Sequence, residues 1–195
     1  MKKTIKLCSA LLTLLLLVPG CGQEPEPADE YSDIIEAAPC DIYPTYVFYP
    51  MSVAELLEYF EPDIVATAKV VSRGEPYKYM TPYELELTEV LSGDYQKGDR
   101  VTLITDYSYR NGVTHRVSGS TVFRVGSEYL VSITLTTLDE LAPDAGSDET
   151  VGFICSPPTG AIKTSGEYQP DGFYSEYKTK KELIKGIKKE IGELS

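Results

Sequence analysis

The chain has no tryptophan, a single histidine and only four cysteines in 195 residues. A Ser-His-acid or Cys-His centre would have to be built on His115, because such chemistry needs an imidazole to take and return the proton. His115 falls in the polar stretch DYSYRNGVTHRVSGS, where an exposed loop histidine accounts for it better than a catalytic one. No Gly-x-Ser-x-Gly elbow is present. A zinc site needs three or four Cys, His or carboxylate ligands at workable spacing, and this inventory does not supply them. Asp139, Glu140, Asp144, Asp148 and Glu149 lack the EF-hand spacing and read as a solvated acidic loop. No carboxylate pair stands out from the other acids. The chain is therefore read as neither an enzyme nor a holder of a metal or cofactor. Basic charge is also scarce, with 18 Lys and Arg against 30 Asp and Glu and a formal net charge of −12. That balance argues against nucleic acid as a partner, since phosphate binding rests on Lys and Arg.

Long apolar runs are missing too. The longest, from about Leu7 to Val18, is roughly a dozen residues, whereas a spanning helix needs about 20. Lys2, Lys3 and Lys6 precede it and Val18-Pro19-Gly20-Cys21 ends it, the layout of a secretory signal. The last four residues resemble the bacterial lipobox, with Pro19 an unusual occupant. In that motif the cysteine is acylated before cleavage, and two or more acyl chains hold a protein on a bilayer where one does not. Residues 1–20 are accordingly expected to be a signal peptide and Cys21 a lipid anchor. The implied location is the cell envelope, on the extracytoplasmic side of the membrane. Residues 21–39, rich in Pro and acid, are expected to form a flexible tether. Loss of the signal's three lysines moves the net charge to −15.

The remainder, residues 40–195, is long enough for one domain with its own core. SVAELLEYF has Ser52 and Glu55 at capping-box spacing and Leu56, Leu57 and Phe60 on one helical face. DIVATAKVVS follows Pro62 and places Ile64, Ala66, Ala68 and Val70 on one face of a strand. YELELTEVL alternates through Tyr83, Leu85 and Leu87, then sets Val90 beside Leu91, which predicts a bulge or bend. RVTLIT, TVFRV, EYLVSITLTT and VGFIC supply further strands, and Asn111-Gly112 a tight turn. KTKKELIKGIKKEIGELS carries Leu183, Ile184, Ile187, Ile191 and Leu194 as an apolar stripe. That helix is expected to pack on the strands, with docking on an anionic membrane the alternative. The pattern predicts a mostly β fold: an OB-fold-like closed or partly open barrel, with a short N-terminal helix and a C-terminal amphipathic helix. Cys40 and Cys155 are an even pair in an oxidising compartment, where a disulfide is the expected fate and two separated buried thiols the alternative.

The order of these landmarks resembles the OB-fold domain of the tissue inhibitors of metalloproteinases and their bacterial relatives. The matching pieces are Cys40, SVAELLEYF, PDIVATAKVVSRGE, TEVLSGDYQKGDRVTL, VGSEYLVSI and VGFICSPP, spanning roughly residues 40–195. The resemblance implies the same Cys40–Cys155 pairing. It does not carry the inhibitory chemistry across, because the family's animal members chelate zinc through a free N-terminal cysteine and Cys40 is internal. An inhibitor built on this chain would need another wedge, in the 40–50 segment or the loop near 75–82.

Fifteen tyrosines are the composition's excess. DIYPTYVFYP and GEYQPDGFYSEY cluster Tyr43, Tyr46, Tyr49, Tyr168 and Tyr174 beside Pro and Gly, a composition suited to a recognition surface as well as to barrel covering. The functional expectation is a lipid-anchored, non-catalytic binding module. Its partners would be the membrane, through the anchor, and an envelope protein or cell-wall polymer. A metalloprotease inhibitor-like protein is the alternative.

Overall fold

The computed structural model describes residues 28–41, 53–154, 160–166 and 177–194. Five strands close into a barrel: β1 (Ile64–Arg73), β2 (Thr81–Ser92), β3 (Arg100–Thr105), β6 (Glu128–Thr137) and β7 (Thr150–Ile154). Their order is β1-β2-β3-β7-β6, and β6 pairs back onto β1. All neighbours are antiparallel except β3 and β7, where Leu103 faces Gly152 in a parallel pair. This is the expected OB-fold-like architecture. β4 (Tyr107–Arg110) and β5 (Val113–Arg116) form a separate hairpin between β3 and β6, and β8 (Ala161–Lys163) extends the sheet beyond β6. The hairpin turns at Asn111-Gly112, both at positive φ, as the sequence predicts.

Alternation fills the barrel. Ile64, Ala66, Ala68 and Val70 of β1 and Tyr83, Leu85 and Leu87 of β2 have no exposed surface. The expected irregularity is present at Leu91: Val65 faces Ser92 while Ala66 faces Val90, so Leu91 is the extra residue. The bulge turns Leu91 toward a second apolar cluster on the barrel's outer side, where Val65 and Leu130 meet Leu57 of α2 (Val53–Phe60). Leu183 and Ile187 of α4 (Lys180–Leu194) complete that cluster at 0% and 2% exposure, so the C-terminal helix packs on the barrel. Burying each such side chain contributes about 2 kcal/mol. Gly186, a weak helix former, is explained by Tyr177: a Cβ there would stand 2.4 Å from the tyrosine ring. Lys180 pairs with Glu128 on β6, and Lys188 with Glu89 on β2 at 2.6 Å.

Two expectations need correction. The acidic segment assigned to the tether does not stay unstructured to residue 39, because α1 (Glu30–Ala37) is a docked helix with Ile35 fully buried. Asp29 caps it, accepting from the Ser32 amide at 3.2 Å. TVFRV is not a strand. Val122 and Phe123 are buried, but side chains take the place of a ladder partner. The Phe123 amide donates to the Tyr107 hydroxyl (2.8 Å), the Arg124 amide to Tyr129 (3.0 Å) and the Val125 amide to Asp29 (3.1 Å). Tyr83, Tyr107 and Tyr129 are thus core residues, which absorbs part of the tyrosine excess.

Candidate functional site

The β1–β2 connection is a stiff hairpin extension. The Gly74 amide donates to Pro82 O, and Tyr77 and Met80 exchange backbone bonds, each at 2.9 Å. The tip is Lys78, at φ 53°, flanked by the exposed rings of Tyr77 and Tyr79. On the other side of the barrel wall, β6 runs into α3 (Leu138–Leu141), whose capping box joins Thr137 and Glu140, and then a 3-10 turn at Pro143–Ala145. Lys78 Nζ reaches Asp144 across 2.5 Å and ties the two connections together. Both groups are exposed, so the bond orders the loops more than it stabilises the fold.

Between these connections lies a pocket of about 270 Å³. Tyr79 and Met80 wall it on the hairpin side and Leu141 on the α3 side. Ile104 and Phe153 come from the ends of the parallel pair. By alternation from Leu103 and Gly152 they point outward from the barrel. Thr105 and Ile154 carry the surface over the rim, and Thr121 and Phe123 close it from the irregular segment. The lining is mainly apolar, the composition typical of a ligand site. Of its polar side chains, Thr105 and Thr121 donate to the Thr81 and Ala161 carbonyls, which leaves two for an incoming group.

Those two are Asp106 and Ser120. Burial raises the Asp106 carboxyl above its ordinary pKa, and the neighbouring Ser120 hydroxyl only partly opposes this. Ser120 is 7% exposed, and its hydroxyl has no hydrogen bond of full geometry among the described residues. A carboxyl and a hydroxyl held in an apolar wall can offer or accept a hydrogen bond from an incoming group. Among the described residues no three His, Cys, Asp or Glu side chains gather as a metal site. The hydroxyls of Tyr31 and Thr81, outside the lining, are used internally. The Tyr109 amide donates to Tyr31 (2.9 Å), Tyr31 shares a hydrogen with Thr81 (2.7 Å), and Thr81 donates to Tyr107 O (2.6 Å).

The residues singled out from sequence fall elsewhere. Cys21, Tyr43, Tyr46, Tyr49, Tyr168, Tyr174 and Cys155 lie outside the described residues. Cys40 is half-buried, and its thiol is free of any described partner. His115 is in β5 with its Nδ1 2.8 Å from Asp41, a surface contact. Asp139, Glu140, Asp144, Asp148 and Glu149 belong to the β6–β7 connection, where Asp144 meets Lys78 and Glu140 serves the helix cap. The pocket residues carry no sequence signature, because five separate chain segments contribute them. Comparison with known protein families and with curated proteins finds no match to this chain.

Proposed function

We propose that the chain is a lipid-anchored, extracytoplasmic, non-catalytic binding module that holds a protein or envelope component at this pocket. The observation that carries the reading is the pocket's place. OB-type barrels present ligands to the connections between their first and second and their fourth and fifth strands. In this barrel those connections are the Tyr77–Met80 hairpin and the α3 segment, and the pocket lies between them. The lipobox-like Cys21 supplies the anchor, and the landmark order supports kinship with the TIMP-like domains. Fold kinship by itself does not fix the ligand.

A second reading, protease inhibition, is favoured by the projecting hairpin tip, with Tyr77 36% and Tyr79 49% exposed. A wedge of that kind would enter a protease cleft from solvent. Photocross-linking separates the two. A photoreactive phenylalanine is placed at position 79 or, at the opposite end of the barrel, at position 97, in the soluble 22–195 chain. A saturable envelope adduct from position 79 and none from position 97 supports the binding module. An adduct with a secreted metalloprotease, joined by loss of its activity, supports the inhibitor. Equal labelling from both positions contradicts each.

A further inference from the structure

We infer that the hairpin end of the barrel is its membrane end, with Tyr77 and Tyr79 resting at the headgroup level of the bilayer. The inference rests on the lipid-anchor reading of Cys21 and concerns where the anchored domain points. Its foundation is α1, which folds much closer to Cys21 than composition suggests.

Asp29 is the first described residue whose side chain is tied to the barrel. It is 8% exposed and is held by Arg73 at 3.0 Å, by the Ser32 amide and hydroxyl, and by the Val125 amide. Arg73 is the last residue of β1, directly before the hairpin extension. Tyr31, two residues on, bonds Thr81, the first residue of β2. Asp29 and Tyr31 therefore sit beside the base of the Tyr77–Met80 hairpin.

Eight residue steps separate Cys21 from Asp29, a reach of about 29 Å at full extension. Along β2, the eleven steps from Thr81 to Ser92 cover about 36 Å. The tether is thus shorter than the strand leading away from its attachment point. Barrel strands tilt by about 35–45°, so β2 rises about 28 Å along the axis, and only a fully stretched tether brings the Gly93–Asp99 turn to the bilayer. Any shorter extension from an acylated Cys21 keeps the Asp29 end as the near end.

The near end has the chemistry of an interface. Tyr77 and Tyr79 present two exposed aromatic rings, and tyrosine is a residue that anchors proteins at headgroup depth, while Lys78 between them is held by Asp144. The acidic body is not drawn to an anionic leaflet, so the orientation comes from the tether and the rings. With Tyr79 in its wall, the pocket then opens beside the bilayer surface, and its ligand is a component displayed there.

The absence of tryptophan makes the test direct. The acylated mature chain carrying Tyr77→Trp or Lys97→Trp is reconstituted in phosphatidylcholine vesicles, with or without bromine near the top of the acyl chains. We expect the brominated lipid to quench Trp at position 77 at least about threefold more than at position 97, matching the shallow depth of interfacial aromatics. Equal quenching, or none at 77 in chains that float with the vesicles and carry acyl mass, overturns the orientation and leaves the anchor standing. Chains that neither float nor carry acyl mass overturn the anchor and the orientation with it. Circular dichroism of both variants establishes that each is folded.

Discussion

Arg73 Nη1 lies 3.0 Å from Asp29 Oδ1, with its guanidinium 3.9 Å above the Tyr31 ring. One carboxylate caps α1, neutralises the end of β1 and accepts the Val125 amide. Burial alone would raise its pKa. The amides of Val125 and Ser32, the Ser32 hydroxyl and the Arg73 charge outweigh that, and the carboxyl ends below its ordinary value.

Asp29→Ala is therefore expected to destabilise the fold by about 3 kcal/mol, since it strands a charge and leaves amides unpaired. Urea unfolding measures this. The sign of the pH dependence follows from the lowered pKa. The stabilisation is complete above about pH 4 and fades as acid carries the pH down through the folded value. The wild type and Asp29→Asn should converge in that acid range.

The core tyrosines should separate by their hydroxyl partners. Tyr107→Phe and Tyr129→Phe leave the Phe123 and Arg124 amides without acceptors and are expected to cost about 1–3 kcal/mol each. Tyr83→Phe removes a buried hydroxyl that has no hydrogen bond of full geometry among the described residues, only the neighbouring Tyr107 hydroxyl, so it should be neutral or slightly stabilising. Burial pushes the Tyr83 hydroxyl up to about 12. Its resistance to ionising makes wild-type stability fall above about pH 10, where the unfolded chain releases the proton, and Tyr83→Phe should lessen that fall.

Asp106→Asn should raise stability at neutral pH and weaken ligand binding. The folded carboxyl has a raised pKa, so its ionised form opposes folding at pH 7 and the penalty disappears as acid protonates it. Thermal midpoints of the two proteins should therefore differ at pH 7 and meet in acid. A site that costs stability and serves binding fits the usual trade between the two.

Gly152→Ala is expected to cost about 2 kcal/mol by overpacking, because the new Cβ would stand 2.4 Å from Ile133 Cγ2. Pairing it with Ile133→Ala, which removes that methyl, should cost less than the two single changes added together. A double-mutant cycle on unfolding free energies measures the coupling.

Much of the barrel was legible in the chain because its strands alternate. Tyr83, Leu85 and Leu87 point one way by period two, and the doubled Val90-Leu91 marks the bulge. Helix α1 was hidden by composition, since EYSDIIEA looks too acidic to fold alone. Asp29 before acids of a first turn, with Tyr31 and Ile35 four apart, was the available signal. TVFRV looks like a strand because its side chains are buried like one. Its amides go to tyrosine hydroxyls and Asp29, partners that local pattern does not reveal. The pocket was illegible for a related reason. Met80, Asp106, Ser120, Leu141 and Phe153 become neighbours only when the parallel β3–β7 pair and the two flanking connections come together.

The most direct test of the account is saturation binding of the soluble 22–195 chain to isolated envelope, beside a Tyr79→Ala/Leu141→Ala double variant. Those changes remove two pocket walls and leave the fully buried barrel core untouched. The account predicts saturable binding by the wild type and a loss of about tenfold or more in the variant at unchanged fold, which is about 1.4 kcal/mol. Equal binding by both proteins would contradict it.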